Sequence, residues 1–169
     1  MKKIDCSKAI IPAKSIGNVQ QGAYIRDYAN DIDNYSLLSI STIENNIRLI
    51  EYNFNNSIKI IVDVFYGTIS NIIAYNDYSG TLNNQIFIGL TIRELLKIDN
   101  SFECCAGGLM SINFLGVCIY FTDNFDADVH NLTPYLDNKI LGIGLVRQYN
   151  ENGEDNYINY YGEKYFDIK

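Results

Sequence analysis

The segment from Gln85 to Asp99 constrains the fold of this 169-residue chain more than any other. Ile86–Ile88 is an apolar run of strand-forming residues, and Gly89 interrupts it. Thr91 and Glu94 then have the spacing of a capping box, in which each side chain accepts a hydrogen bond from the backbone amide of the other residue. The segment therefore predicts a strand, a glycine turn and a short capped helix.

The apolar pattern after the cap is that of an amphipathic helix. Leu90 and Leu95 occupy the two positions of a hydrophobic staple around the cap. Ile92, Leu95 and Leu96 share one helical face, and the charged residues lie on the others. We therefore expect this helix to bury one face.

A second copy of this pattern, with fewer of its signals, occurs nearer the N-terminus. When Gly22 is aligned with Gly89, G-A-Y-I-R-D-Y matches G-L-T-I-R-E-L. Tyr24 takes the place of Thr91, so the first copy lacks the cap. We expect a shorter or looser helix over about residues 22–30.

Most of the remaining chain has the pattern of an antiparallel meander, in which apolar runs alternate with turns rich in Asn and Gly. In the first half, the predicted strands are Ala9–Ile11, Tyr35–Ile40, Asn46–Phe54, Ile58–Phe65 and Thr68–Tyr75. In the second half they are Leu109–Leu115, Val117–Thr122 and Ile140–Val146, with Tyr157–Tyr161 and Lys164–Ile168 closing the sheet as an edge.

These patterns predict an α+β fold, a mostly antiparallel β-sheet with two short helices. The length suits one domain spanning residues 1–169. The polar segment Asp77–Asn84 separates two halves, 1–80 and 81–169, and each half has a helix followed by strands. A tandem helix-plus-meander pseudo-repeat is therefore a hypothesis for the structure to test.

The composition restricts the partners. A net charge of −7 and a pI near 4.6 argue against binding to nucleic acid or to an anionic membrane, both of which require a basic surface. The same charge is compatible with a basic protein partner. No apolar run approaches the ~18 residues of a membrane span, and no signal-peptide core follows the first lysines. We expect a cytoplasmic protein that is a monomer or a small homo-oligomer.

The nucleophiles and metal ligands do not form a recognised motif. The single histidine, His130, would form a thiol–imidazole pair only if the fold brought it to Cys104 or Cys105. The four cysteines lack the spacing of a zinc site or a disulfide framework, so we expect reduced thiols.

Carboxylates offer two further alternatives. Asp123, Asp126 and Asp128 resemble the start of a calcium loop, but the glycine and closing glutamate of an EF-hand are absent at the required offsets. A hydrolase using carboxylates of Asp123–Asp137 would need two of them in one cleft. Because the common catalytic motifs are also absent, we expect a non-enzymatic protein without a cofactor or a metal.

Acidic side chains accumulate in two predicted loops, and tyrosines flank the second loop. Tyrosine supplies anchoring area at protein interfaces, and carboxylates steer a basic partner. An ordinary polar surface would have the same composition. The residues predicted to bind a partner are Asp123, Asp126, Asp128, Asp137, Glu151, Glu154, Asp155 and Tyr157.

The block I-F-I-G-L-T-I-R-E-L-L (Ile86–Leu96), the strands after it and I-L-G-I-G-L-V (Ile140–Val146) resemble segments of small cytosolic immunity proteins from bacterial toxin–immunity systems. Those of contact-dependent growth inhibition are the most similar. The resemblance covers roughly half of the chain and implies a single-domain acidic protein that blocks a secreted toxin domain, often a nuclease. The resemblance assigns a functional role to no residue of this sequence, because these families share no binding motif.

The sequence therefore leads to two functional hypotheses. The first is a non-enzymatic immunity protein that binds and neutralises a cognate toxin domain through an acidic surface. The second is a structural or assembly module of a phage or mobile element, self-associating through the strand edge at Tyr157–Ile168.

Overall fold

A sheet that takes strands from both halves of the chain organises the structure. A computed structural model describes residues 2–32, 36–43, 46–63, 66–105, 108–122, 131–145, 147–149, 155–158 and 164–165. Within these ranges the strands form antiparallel ladders, accompanied by short helices. The predicted α+β class with mostly antiparallel sheet is confirmed. No helix in the described ranges is long and apolar enough to cross a membrane.

The first half contains a small antiparallel sheet, a short helical segment and a four-stranded meander. The helical segment is a 3-10 helix, Ile25–Tyr28, that continues into one α-helical turn, α1 (Ala29–Ile32). It is shorter than an ordinary helix, as expected without a cap, and begins later than predicted. The strands are β1 (Ile10–Ile11), β2 (Ser15–Ile16), β3 (Val19–Gln20), β4 (Ser36–Ile43), β5 (Asn46–Phe54), β6 (Ile58–Asp63) and β7 (Thr68–Tyr75).

The second half repeats this order of helix and strands. Its helix is α2 (Ile92–Ile98), and a further 3-10 helix, Thr133–Tyr135, precedes the last strand of its meander. The strands of the meander are β8 (Glu103–Cys105), β9 (Gly108–Met110), β10 (Val117–Tyr120) and β11 (Gly142–Leu145). A separate three-stranded sheet follows, made of β12 (Arg147–Tyr149), β13 (Asp155–Ile158) and β14 (Lys164–Tyr165).

The two meanders join through their last strands. Within the described residues, the order across the central sheet is β4-β5-β6-β7-β11-β10-β9-β8. In the β7–β11 ladder, Ile72 lies opposite Leu145 and Ile73 lies opposite Gly144. Each meander therefore runs inward from an outer strand to the centre, and the two are related by an approximate twofold arrangement.

Backbone hydrogen bonds fix the approach to the first helix. The Gly22 amide donates to the Ile69 carbonyl (2.8 Å), and the Ile69 amide donates to the Ala23 carbonyl (2.9 Å). The Ile25 amide donates to the Gly67 carbonyl (2.9 Å). The start of the helical segment is thus attached to the beginning of β7.

The same three bonds recur in the second half. The Gly89 amide donates to the Ile140 carbonyl (2.9 Å), and the Ile140 amide donates to the Leu90 carbonyl (2.8 Å). The Ile92 amide donates to the Asn138 carbonyl (3.0 Å). Both aligned glycines have positive φ, 79° in the first half and 96° in the second, a conformation that glycine adopts without strain. The sequence alignment of the halves thus corresponds to equivalent backbone contacts, and the pseudo-repeat is structural.

The capping box on α2 is confirmed. The Glu94 amide donates to the Thr91 hydroxyl oxygen (3.3 Å), and the Thr91 amide donates to the Glu94 carboxylate (3.0 Å). The hydrogen bonds from Thr91 hold the pKa of Glu94 below its ordinary value. Both staple residues, Leu90 and Leu95, are buried in the main core.

The strand predicted at Ile86–Ile88 is wrong. Asn83 and Asn84 both have positive φ, 52° and 58°, and turn the chain back so that Ile86 makes an isolated bridge with Leu82. Phe87 is 45% exposed and adds to no ladder. The local pattern indicated an extended segment, but the asparagines before it close a tight turn.

Two other predicted strands also need correction. Leu109–Leu115 is a strand only as far as Met110, because the Ser111 side chain joins a polar network and residues 112–116 form a turn. The segments predicted at Tyr157–Tyr161 and Lys164–Ile168 do not close the central sheet. In the described part they form β13 and β14, which pair with β12 in the separate sheet.

Among the residues whose side chains the structure describes, one face of the central sheet is lined by apolar residues and the other face is mixed. On the first, alternate residues such as Ile60, Ile72, Ile119 and Ile143 are buried in the main core. The second face is defined here by the alternate positions that carry Ile73, Cys118 and Tyr120, which form a smaller buried cluster. A Cβ atom at Gly144 would lie 2.9 Å from a Tyr120 ring carbon, so the G-x-G of β11 makes room for an aromatic ring.

Tyr78 fastens the N-terminal region to the segment between the halves. Its ring is buried, and its hydroxyl donates to the Lys8 carbonyl (2.5 Å) and accepts from the Gly17 amide (2.8 Å). Burial raises the pKa of Tyr78 far above its ordinary value, so the hydroxyl stays protonated and able to donate.

Replacing Tyr78 with Phe should lower the free energy of unfolding by about 1–3 kcal/mol, because the buried Gly17 amide loses its acceptor and the Lys8 carbonyl loses a part-buried hydrogen bond. Urea unfolding followed by circular dichroism measures the change. Tyr24→Phe is the matched control, since Tyr24 is 47% exposed and its ring keeps the Arg26 guanidinium above it. Equal losses in both variants would contradict this role.

Thr91→Ala should lower the free energy of unfolding by about 1 kcal/mol at neutral pH, because the amide at Glu94 loses its cap. The folded-state pKa of Glu94 is depressed, so its own contribution is present at neutral pH and is lost as pH falls below its ordinary value of 4.5. The difference between wild type and variant should therefore shrink at pH 3. Thr133→Ala is the control, since the 3-10 helix there has no side-chain cap, and a loss as large as that of Thr91→Ala would argue against the cap.

Candidate functional site

The residues predicted to bind a partner belong to the C-terminal part of the chain. Asp123, Asp126, Asp128, Glu151 and Glu154 lie outside the described residues. The other three, Asp137, Asp155 and Tyr157, are described at least in their backbone. The structure therefore describes only a part of the predicted acidic surface.

Asp137 already has an ionic partner. It follows the Thr133–Tyr135 helix and lies 3.0 Å from Arg93 of α2, and the Arg93 Nε also donates to it (3.1 Å). The Asp137 side chain is 85% exposed, so this pair contributes little to stability. Because Arg93 compensates part of its charge, Asp137 is a less effective contact for a basic partner than an unpaired carboxylate would be.

The negative charge of the protein is concentrated towards its C-terminus. Residues 123–169 hold nine of the 20 acidic residues but only four of the 13 basic ones, so they carry −5 of the net charge of −7. Residues 1–122 hold eleven acidic and nine basic residues and are close to neutral. The acidic character is therefore a property of one segment.

Backbone register brings part of the predicted acid and tyrosine set together. β13 is the middle strand of the small sheet, with β12 on one side and β14 on the other. Asp155 lies opposite Tyr149, and Tyr157 lies between Arg147 and Tyr165. The small sheet thus gathers one predicted carboxylate with three tyrosine positions.

The alternative catalytic sites gain no support from the described residues. His130 and the Asp123–Asp128 loop lie outside them, so neither the thiol–imidazole pair nor the calcium loop can be located. Across the described ranges, no group of three or more His, Cys, Asp or Glu side chains could hold a metal ion. All four cysteines lie within the described residues, and none of them forms a disulfide there.

A polar network that the sequence did not reveal surrounds Asp99, at the end of α2. Its carboxylate accepts from the Ser111 hydroxyl (2.6 Å), the Ser101 amide (2.9 Å) and the Asn113 side-chain amide (3.1 Å). The two serine hydroxyls also bond each other at 2.7 Å. The network ties the end of the helix to the turn after β9.

The network has structural rather than catalytic geometry. Desolvation raises the pKa of Asp99, but the hydrogen bonds from Ser111, Ser101 and Asn113 outweigh it and lower the pKa below its ordinary value. An ionised carboxylate with several donors is a poor base and stabilises what it touches. Its residues are separated in sequence and match no motif, so only the fold discloses it.

A second polar group lies on the mixed face of the central sheet. Glu51 and Lys59, on neighbouring strands, form an ion pair of 3.1 Å, and both side chains are mostly buried. The side-chain oxygens of Asn53 and Asn71 are buried nearby without a hydrogen-bond partner among the described residues. This half of the face can accept hydrogen bonds, in contrast to the apolar and sulfur-containing half around Cys118.

Comparisons with protein-family models, with curated proteins and with solved structures gave no match. The functional argument therefore depends on the charge distribution and geometry of this chain.

Asp99→Asn should lower the free energy of unfolding by about 1–3 kcal/mol at pH 7, because hydrogen bonds to an ionised carboxylate are replaced by weaker ones. The folded-state pKa of Asp99 is depressed, so the wild-type advantage is present above the ordinary value of 3.8 and is lost as pH falls below it. Asp137→Asn is the matched control and should cost less than about 1 kcal/mol, since it removes one exposed ion pair. Denaturant unfolding at pH 7 and pH 3 measures both, and a pH-independent loss in Asp99→Asn would contradict the assignment.

Proposed function

We propose that this protein is a non-enzymatic immunity protein, which binds a cognate bacterial toxin domain in the cytoplasm and blocks it. The observation that carries the proposal is the concentration of −5 of the net charge of −7 in residues 123–169. A segment with this charge attracts a basic surface and raises the rate at which a basic partner associates.

A basic cleft is the complementary surface. An enzyme that acts on nucleic acid needs one to hold the phosphate backbone, and a carboxylate-rich segment can occupy it in place of the substrate. The proposed toxin is accordingly a nuclease, and inhibition follows from occupation of its cleft without chemistry on the inhibitor.

The tyrosine positions of the small sheet fit the need of an interface for apolar contact area. Charge steers the partners together, but apolar contact area holds the complex. The β12–β14 register brings Tyr149 beside Asp155 and sets Tyr157 beside Tyr165. This combination supports a binding surface that includes the predicted residues Asp155 and Tyr157.

Self-association through a strand edge is the second candidate. β14 is an outer strand of the small sheet, and its Lys164 is a residue type that discourages edge pairing. Light scattering coupled to size-exclusion chromatography separates the two proposals, because an immunity protein needs no large homo-oligomer.

The test uses a candidate toxin domain taken from the genes that neighbour this one. Asp126→Lys/Asp128→Lys and Glu154→Lys/Asp155→Lys should each slow association with that domain by about tenfold or more at low salt, and the loss should shrink at high salt. Asp77→Lys/Glu103→Lys makes the same change at two exposed acids outside the segment and should change the rate far less. Surface plasmon resonance at two ionic strengths measures the rates.

Two outcomes would reject parts of this proposal. If equimolar protein neither binds the neighbouring toxin domain nor reduces its activity, the immunity function is wrong. If a complex forms but all three double variants associate at the wild-type rate, the partner is correct and the acidic segment is not the binding surface.

A further inference from the structure

Three sulfur-containing side chains lie on the mixed face of the central sheet, on the neighbouring strands β8, β9 and β10. Cys105 ends β8 opposite Gly108 of β9, and Cys118 of β10 lies opposite Met110 of β9. Cys105 and Met110 both pack against the buried cluster that contains Cys118. Cys104, one residue away, packs against the main core on the other face.

A glycine allows the two thiols to approach each other across the strand between them. A Cβ atom at Gly108 would lie 2.8 Å from the Cys118 Sγ, so any other residue would displace that sulfur. The Cys118 thiol therefore occupies the space above Gly108, next to Cys105. The two thiols share a hydrogen bond.

The spacing of the strands does not suit a disulfide. β8 and β10 are separated by β9, and two ladder spacings amount to roughly 9–10 Å. Bridged cysteines have Cα atoms less than about 7 Å apart. A pair of thiols whose side chains meet while their strands stay apart is better suited to holding an atom between the sulfurs.

We propose that Cys105 and Cys118, with the Met110 thioether as a third ligand, bind a soft monovalent cation of the Cu(I) type. Two thiols and a thioether are ligands that favour Cu(I) over harder cations. Binding breaks two S–H bonds, releases two protons to solvent and forms two Cu–thiolate bonds and one Cu–thioether bond, with no change in oxidation state. Cys105 and Met110 are only partly buried and provide the entry route.

The surroundings suit such a complex. One Cu(I) held by two thiolates carries a net charge of −1, which burial disfavours unless donors are present. The Tyr120 hydroxyl and the Leu109 amide both donate to the Cys118 sulfur and would stabilise its thiolate. Ile73 and the Tyr120 ring line the cluster, and apolar cover limits the access of water and oxidants.

The test removes the other two cysteines first. Full-length Cys6→Ser/Cys104→Ser protein, reduced and kept under nitrogen, should bind one Cu(I) per chain in competition with bicinchoninate. Adding Cys105→Ser should weaken binding by more than the roughly 10–100-fold typical of outer-shell changes, because a direct ligand is lost. Met110→Leu should weaken it less. Affinity should rise by about 100-fold per pH unit while two protons are released.

A measurement of thermal stability shows whether a loss of Cu(I) binding results from a lost ligand or from misfolding of the variant. Cu(I) should raise the Tm of the Cys6→Ser/Cys104→Ser protein and leave that of the further Cys105→Ser variant unchanged, with both folded by circular dichroism. If the two folded proteins bind Cu(I) equally, or if neither binds it more tightly than bicinchoninate does, the site does not exist.

Discussion

The antiparallel pairing of β7 with β11 is the interaction on which the rest of the structure depends. Each of these strands closes its own meander on one side and pairs with the other half on the other side. Ile69, at the start of β7, and Ile140, in the segment leading into β11, also accept and donate the backbone hydrogen bonds that fix the approaches to the two helices. Strand pairing at the centre thus determines where both helices begin.

The backbone hydrogen bonds explain why the two aligned segments that begin at Gly22 and Gly89 can have different side chains. The three repeated hydrogen bonds are made by backbone atoms, so they constrain only the glycine conformation and leave the neighbouring positions variable. Thr91 supplies a cap where Tyr24 does not, and the first helix is accordingly a 3-10 turn followed by one α-helical turn. Tyr28 and Leu95 occupy aligned positions and are both fully buried, so the core contact is kept.

Features that depend on neighbours in sequence could be predicted, and features that depend on distant contacts could not. The capping box joins residues three apart, and the meander turns are local, so both follow from the sequence. Ile86–Ile88 looked like a strand because its side chains suit one, but among the described residues it joins no strand ladder and the asparagine turn folds it back. The Asp99 network and the sulfur cluster combine residues from separate elements, and no spacing rule reveals them.

Most of the net charge and most of the packed core lie at different positions of the chain, and under the proposed function this affects how recognition of a partner could evolve. In the central sheet, most positions are committed to the core or to the close contacts around glycines such as Gly108 and Gly144. Substitution there costs stability, because packed cores tolerate changes in volume poorly. Residues 123–169 carry most of the net charge, and they include the small sheet, which has its own strand pairing apart from the central one. β11 lies within these residues but has no charged side chain, so changes at the charged positions of the segment leave the β7–β11 junction in place. Under the proposed function, the electrostatic attraction for a partner can therefore vary while the central sheet stays constant.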